Sequence, residues 1–330
     1  MSNNSLSDRL DKACQLSEKL HAELAKVIVG QETVIDQLTA AVFAGGHVLL
    51  TGAPGLGKTL LVKSLARLFS LEFRRTQFTP DLMPADILGS EVMDEDKTTG
   101  QRSFRFLPGP VFTNILLADE INRTPPRTQS ALLEAMGEGH VTIGGHTRQL
   151  AEPFFVLATQ NPIELEGTYP LPEAQLDRFL LNLVMDYLPI EQEIKMVRET
   201  TSPEIPQLTP IMTAEEVLET RRLVREIPAP ENVISYAVRL CAATRPSSPN
   251  ATRQVQDLVK WGAGSRASQA LVLAGKARAL LQGRTNVSCE DVRALFHPVL
   301  RHRVITNFRA EADNISVLQI LDNLLKEISE

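Results

Sequence analysis

The sequence predicts an α/β fold, in which a mostly parallel sheet has helices on both faces and a smaller all-helical part follows. Two observations predict it. Short apolar runs alternate with helical or loop segments over the first half of the chain, which is typical of strands joined by crossover helices. After Leu188-Pro189 the strand-like runs end and helical periodicity takes over, so we predict two domains, residues 1–188 and 189–330.

Each element of this fold rests on its own pattern. Residues 5–27 have apolar side chains at helical spacing and predict an amphipathic helix, and residues 59–69 predict another. The strand candidates are 47–50, 72–78, 115–119, 154–159 and 179–184. Beyond residue 188, helical runs are predicted at 191–200, 213–225 and 268–282, with a proline-rich linker at 202–210.

Two stretches interrupt the alternation and predict hairpins. Residues 91–106 have a charged, turn-like centre between strand-like flanks, and residues 140–150 have Gly144-Gly145 between alternating segments.

Composition disfavours several functions. The net charge of -6 opposes a large nucleic-acid footprint, and 5% aromatic residues with one tryptophan, Trp261, leave little for base stacking. Cys14, Cys241 and Cys289 lie far apart, which indicates reduced, structural thiols and an intracellular protein. The histidine spacing predicts no zinc site. No run of 18 apolar residues occurs and the N-terminus is polar, so we expect a cytoplasmic protein without membrane insertion.

A glycine-rich segment lies between the first predicted strand and the helix after it. It matches the P-loop pattern and reads Gly52-Ala53-Pro54-Gly55-Leu56-Gly57-Lys58-Thr59, with Leu60 next. Glycines let backbone N–H groups surround phosphate oxygens, and the helix N-terminus adds partial positive charge. Lys58 is suited to the outer phosphates and Thr59 to Mg²⁺. The segment therefore predicts nucleotide binding.

Two acids end the apolar run at 115–119. Asp119 and Glu120 follow a buried strand, which delivers both carboxylates to the carboxyl edge of the sheet beside the P-loop. We expect Asp119 to orient the Mg²⁺ shell, through water, and Glu120 to polarise the water that attacks the terminal phosphate.

Longer segments resemble the MoxR family of AAA+ ATPases, and the resemblance extends from Val29 onward. They read Asp119-Glu120-Ile121-Asn122-Arg123-Thr124-Pro125-Pro126, Gln129-Ser130-Ala131-Leu132-Leu133-Glu134-Ala135-Met136, Ala158-Thr159-Gln160-Asn161-Pro162 and Glu166-Gly167-Thr168-Tyr169-Pro170-Leu171-Pro172-Glu173-Ala174-Gln175-Leu176-Asp177-Arg178-Phe179. The resemblance implies an AAA+ core with a helical lid, ATP and Mg²⁺ as cofactors, and a ring of identical subunits, expected to be a hexamer.

The resemblance also implies roles for single residues. Asn161 matches the first sensor, and Arg178 matches the arginine finger, which acts on the ATP of a neighbouring subunit. Arg266, in Gly262-Ala263-Gly264-Ser265-Arg266-Ala267, resembles the second sensor, where an arginine contacts phosphate in its own subunit. The family often has Ser-Pro-Arg there, whereas this chain lacks the proline and has Ser265-Arg266 with Gly264 before them. Val29-Gly30-Gln31 resembles the segment that lines the adenine pocket. The sequence has no Asn-Lys-x-Asp, so ATP is favoured over GTP.

The leading functional hypothesis is an ATP-driven remodeller of protein partners. The resemblance implies hairpins that face the ring's pore, partners with von Willebrand factor A domains and a role in metal-centre maturation. Two alternatives stay open at this stage: the motor subunit of a chelatase that inserts magnesium or cobalt into a tetrapyrrole, and a DNA-translocating motor. The acidic composition argues against DNA.

Overall fold

A computed structural model gives the fold, and it describes residues 6–95, 102–161, 167–203 and 206–330, without the side chains of residues 6–8. The strands are β1 (His47–Gly52), β2 (Phe73–Gln77), β3 (Gly89–Glu95), β4 (Arg102–Pro108), β5 (Ile115–Asp119), β6 (His140–Ile143), β7 (His146–Gln149), β8 (Phe155–Gln160), β9 (Phe179–Met185), β10 (Val259–Trp261) and β11 (Ile305–Thr306). The helices are α1 (Leu6–Leu24), α2 (Glu32–Ala44), α3 (Lys58–Leu68), α4 (Pro84–Leu88), α5 (Pro126–Glu138), α6 (Glu173–Leu176), α7 (Ile190–Thr200), α8 (Ala214–Glu226), α9 (Glu231–Ala243), α10 (Arg253–Leu258), α11 (Ser265–Leu281), α12 (Cys289–Leu300), α13 (Phe308–Ala312) and α14 (Val317–Glu327). Within the described ranges, none of these helices has the length and apolar character needed to cross a bilayer.

The centre of the fold is a parallel sheet in the order β2-β5-β8-β1-β9. Each of its strands lies within two residues, at either end, of an apolar run predicted from the sequence. Because all its strands run the same way, their carboxyl ends meet at one edge of the sheet. Gly52, Asp119 and Gln160 therefore emerge together at that edge.

Helices cover both faces of the sheet, as the sequence predicts. Val48 and Leu50 of β1 are buried in one apolar cluster with residues of α1, α2 and α3, whereas Leu49 is buried in a second cluster with residues of α4 and α5. This division follows from the alternation of side chains along a strand, and it explains why the strands read as continuous apolar runs.

The region after residue 188 is helical, and it adds one feature that the sequence pattern does not predict. Strands β10 and β11 form a short antiparallel pair beside the helices. With three and two residues, they are too short to show an alternating pattern. One apolar cluster contains Leu24 and Val48 of the first region together with Leu271 of α11 and Phe296 of α12. The helices after residue 188 therefore pack on the core of the sheet region. The boundary at residue 188 stays a prediction.

Both hairpins form where they are predicted, as β3–β4 and β6–β7, and they contact each other. The Arg148 guanidinium lies 3.9 Å from the centre of the Phe106 ring, and its Nη2 lies 3.7 Å from Oε1 of Glu91. Residues 96–101, between β3 and β4 in the sequence, lie outside the described residues. The two hairpins thus form one joined surface element.

Candidate functional site

The P-loop leaves β1 and ends at the first turn of α3. Gly55 and Gly57 have φ angles of +84° and +81°, in the left-handed region where an L side chain would be strained. The loop can therefore curl back over the start of the helix, which begins at Lys58. Lys58 Nζ donates to the carbonyl of Gly52 at 2.8 Å, and burial lowers the pKa of its ammonium group.

A cleft of about 490 Å³ lies over this loop and collects most of the predicted phosphate-site residues. Its lining is Pro54, Gly55, Gly57, Lys58, Thr59, Leu60, Arg75, Gln77, Asp119, Glu120 and Asn161. Thr59 and Asp119 offer a hydroxyl and a carboxylate in the same cleft, which are the oxygen ligands that Mg²⁺ prefers. The residues present therefore fit the metal that the sequence predicts.

A threonine on β8 fixes both acids of the cleft. Thr159 is fully buried, and its hydroxyl donates to Asp119 Oδ1 at 2.6 Å and accepts from the backbone N–H of Glu120 at 2.8 Å. Glu120 has a φ of 57°, an uncommon left-handed conformation for a residue with a side chain. One hydroxyl thus holds the strand end in the conformation that turns Asp119 and Glu120 into the cleft.

Strand β2 contributes two polar residues to the same cleft. Arg75 donates to Asp119 Oδ2 from Nε at 3.0 Å and from Nη2 at 2.7 Å, and Nη2 also donates to Gln77 Oε1 at 2.7 Å. Gln77 in turn donates to Glu120 Oε2 at 2.7 Å, and Arg123 Nε lies 3.2 Å from the same oxygen. Sequence reasoning missed Arg75, Gln77 and Thr159. The signal for Gln77 is its register opposite Asp119, which becomes visible only when β2 pairs with β5.

An apolar pocket of about 270 Å³ continues from the phosphate cleft and shares Pro54, Gly55, Gly57 and Leu60 with it. Val29, Gln31 and Leu56 line this pocket, and Gly30, between the first two, has a φ of +68°. Gln31 Nε2 donates to the carbonyl of Asp186 at 2.9 Å and so ties the segment to the end of β9. An apolar pocket beside a phosphate site suits a nucleotide base.

Helix α7 and the segment before it form much of the remaining wall of this pocket. The wall residues are Met185, Tyr187, Leu188, Glu193, Met196 and Thr200. The sequence offers no sign of this role, because α7 follows the predicted domain boundary and its pattern indicates only a helix.

The two predicted arginines lie at the other end of the sheet. Arg178 immediately precedes β9, and its Nη1 donates to the carbonyl of Leu133 at 2.8 Å. Arg266 is 64% exposed, and its Nη1 lies 3.5 Å from Oδ2 of Asp177. Asp177 also accepts from the buried Arg303, at 2.7 Å. The finger and second-sensor segments thus lie side by side.

The structure places Arg266 far from the P-loop of its own subunit, where the resemblance implies a phosphate contact. β9 has seven residues between Arg178 and the carboxyl edge, and it spans roughly 20 Å at about 3.3 Å per residue. The P-loop begins at that far edge, because Gly52 pairs with Met185 at the end of β9. The lid packs against the start of β9, where His302 bonds to the carbonyl of Phe179 at 3.1 Å, and this packing fixes Arg266 at the amino end.

Comparisons with known proteins agree with the geometry. Residues 47–181 match the model of the ATPase family associated with various cellular activities (AAA), and residues 251–324 match the AAA lid domain. The chain is 40% identical to the chaperone MoxR1 of Mycobacterium tuberculosis, over 94% of this chain and 81% of that protein. It is 32% identical to the protein MoxR of Methylorubrum extorquens, over 98% and 96%. It is 42% identical to the uncharacterized protein YeaC of Bacillus subtilis, over 94% and 96%. A crystal structure of a provisionally assigned ATPase from Cytophaga hutchinsonii shares 40% identity and superposes with a TM-score of 0.88, over 97% of each chain.

Proposed function

This chain belongs to the MoxR family of AAA+ ATPases and hydrolyses ATP, and we propose that it does so in a ring of its own copies and uses the cycle to remodel client proteins. The observation that carries the ring is the separation of Arg178 and Arg266 from their own P-loop by the length of the sheet. A head-to-tail ring brings the amino end of one subunit to the nucleotide of the next. Six subunits is the number expected from the family resemblance.

Within one subunit, the carboxyl edge of the sheet carries the chemistry. Lys58 contacts the outer phosphates, and Thr59 and Asp119 hold Mg²⁺, Asp119 through water. The metal, when bound, offsets negative charge on the phosphate oxygens. Glu120 accepts a proton from the attacking water, and Asn161 orients that water against the terminal phosphate.

The neighbouring subunit completes the site. Arg178 gives up its bond to the carbonyl of Leu133 and neutralises charge that develops on the transferred phosphoryl group. Arg266, already largely exposed, contacts the same nucleotide from the lid of that neighbour. Asp177 lies between the two segments and aligns Arg266 until the interface forms.

The joined hairpins are the proposed client surface. Their apolar side chains include Met93 and Phe104, cross-strand partners that are 56% and 75% exposed. Exposed apolar side chains on paired strands suit contact with another protein chain. The relative MoxR1 is named a chaperone, which supports a protein client. A von Willebrand factor A domain protein that awaits a metal centre is the client class we propose, and the cytoplasm is the proposed location.

Client binding in the presence of ATP tests this function. Glu120→Gln should bind ATP and retain the client, whereas Lys58→Ala should bind neither ATP nor client while it keeps the wild-type fold. We expect the proteins that co-purify with Glu120→Gln, and not with Lys58→Ala, to include a von Willebrand factor A domain protein that wild type releases on hydrolysis.

Two other outcomes would replace the proposal. ATPase activity that DNA stimulates with a steep salt dependence would indicate a translocating motor. Activity that depends on a tetrapyrrole-binding partner would indicate a chelatase motor.

A further inference from the structure

Arg75 places a permanent positive charge on the carboxylate that is expected to serve the metal. Its Nε and Nη2 both donate to Asp119 Oδ2, at 3.0 and 2.7 Å. A guanidinium is a fixed positive charge, so the charge beside Asp119 is a permanent part of the site. It can be removed from Asp119 only if the side chain moves.

Asp119 has little capacity left for another partner. A carboxylate offers about four lone-pair sites. Arg75 uses two of them on Oδ2, and the Thr159 hydroxyl uses one on Oδ1 at 2.6 Å. A hydrated Mg²⁺ beside Asp119 would also be repelled by the guanidinium at short range. Arg75 therefore competes with the metal and its bound water for Asp119 Oδ2.

Arg75 is the exposed member of this ion pair. The side chain of Arg75 is 47% exposed, that of Asp119 is 13% exposed, and both residues line the nucleotide cleft. Because the guanidinium already faces the open cleft, it can move while Asp119 stays in place. Arg74, the next residue of the strand, pairs with Glu72 at 2.9 Å and does not line the cleft. Replacing Arg74 therefore removes a positive charge from β2 without changing the contacts of Asp119, whereas replacing Arg75 removes the charge that contacts Asp119.

We propose that Arg75 is an internal counter-ion that holds Asp119 until Mg²⁺ displaces it, and so lowers the site's preference for metal-bound over metal-free nucleotide. The proposal rests on the metal role proposed above for Thr59 and Asp119. Metal-free nucleotide leaves Arg75 on Asp119, whereas Mg²⁺-nucleotide must move it aside. The degree to which magnesium strengthens nucleotide binding is thus limited by Arg75.

Binding of N-methylanthraniloyl-ADP, measured by fluorescence without turnover, tests the proposal. The quantity of interest is the Kd in EDTA divided by the Kd in saturating MgCl₂. We expect Arg75→Leu to raise this ratio by about two- to fivefold over wild type, the range of an exposed ion pair. Arg75→Gln, which is neutral but polar, should raise it as well. Arg75→Lys should stay near wild type, and Arg74→Leu, the matched loss of charge, should equal wild type.

The contrary outcomes are distinct. An unchanged ratio in Arg75→Leu and Arg75→Gln overturns the proposal. Both dissociation constants rising by the same factor also overturns it, because Arg75 would then be a direct phosphate ligand. A wild-type ratio of one removes the metal role of Thr59 and Asp119 themselves, which is a failure of the proposed function rather than of Arg75 alone.

Discussion

The two ends of the central sheet differ in what they hold. The carboxyl end carries the P-loop, the two acids and Asn161 around one open cleft. The amino end carries Arg178 and Arg266, one bonded to a carbonyl and the other to Asp177. Both ends belong to the same strands, so their separation is fixed by strand length and does not depend on loop conformation.

This difference teaches how a single fold can divide one reaction between two subunits. The carboxyl end has the groups that we propose to bind phosphate and activate water, but it has neither of the two predicted arginines. The amino end has both arginines and no phosphate loop. If the two ends meet across a subunit boundary, mutations at opposite ends of the sheet should both lower the rate of ATP hydrolysis.

The largest effect is expected at the amino end. Arg178→Ala should lower kcat by about three to five powers of ten, because a finger of this kind offsets charge only in the transition state. Nucleotide affinity should stay near wild type, since the charge that Arg178 offsets is absent from bound ADP and develops only during phosphoryl transfer. Steady-state ATPase rates together with N-methylanthraniloyl-ADP binding would check both statements. Wild-type turnover in Arg178→Ala would end the finger assignment.

At the carboxyl end, Glu120→Gln should reduce kcat by about two to four powers of ten while ATP still binds. The amide has nearly the same shape as the carboxylate, but it cannot accept the proton of the attacking water. Phosphate release and equilibrium ATP binding are the two measurements. Undiminished phosphate release would remove Glu120 from the mechanism.

A smaller effect is expected from the threonine that holds the acids. Thr159→Val deletes the hydroxyl between Asp119 and the N–H of Glu120, and the loss of a charge-assisted bond should lower kcat by about tenfold. Thr113→Val is the matched control, because Thr113 is equally buried and bonds to the carbonyl of Glu72 at the amino end of β5. It should lower stability without changing kcat. Equal kcat losses in the two variants would contradict a positioning role for Thr159.

The last prediction concerns stability rather than turnover, namely the pH dependence of unfolding at the amino end. His47 Nε2 lies 3.1 Å from the carbonyl of Met136, its Nδ1 accepts from the N–H of Val156 at 3.0 Å, and burial lowers its pKa to about 4. The unfolded chain takes up a proton near pH 6.5, so the free energy of unfolding should fall as pH drops from 6.5 to 4. His47 contributes at most about 1.4 kcal/mol per pH unit.

His47→Gln keeps an acceptor and a donor but cannot titrate, so its stability should fall less steeply over this range. Chemical denaturation at several pH values provides the measurement. Identical slopes for wild type and His47→Gln would assign the pH dependence to other groups. The buried His302, whose pKa is also lowered by burial, is present in both proteins and does not affect the comparison.

Much of the carboxyl end could be predicted from the sequence, because its residues are contiguous. The P-loop lies in one segment, and Asp119 and Glu120 end one apolar run, so strand and loop order alone brings them together. Arg75 and Gln77 could not be found this way, since their role depends on β2 pairing beside β5. The position of Arg266 depends on how the lid packs against the start of β9, which no local pattern encodes.

The most direct test of the shared site is to mix two inactive variants, Arg178→Ala and Glu120→Gln. In a mixed ring, an Arg178→Ala subunit with an intact acid can meet a Glu120→Gln subunit with an intact arginine, and roughly a quarter of the interfaces are then complete. ATPase activity should reappear on mixing, at about a quarter of the wild-type rate if interfaces act independently. Fluorescence transfer between labelled copies verifies that subunits exchange. Dilution of wild type with each variant measures how many intact neighbouring subunits are needed for turnover. The contrary result is no recovery of ATPase activity, although subunits exchange and wild-type activity falls only in proportion to dilution. It would mean that Arg178 acts within its own subunit and that the site is not shared.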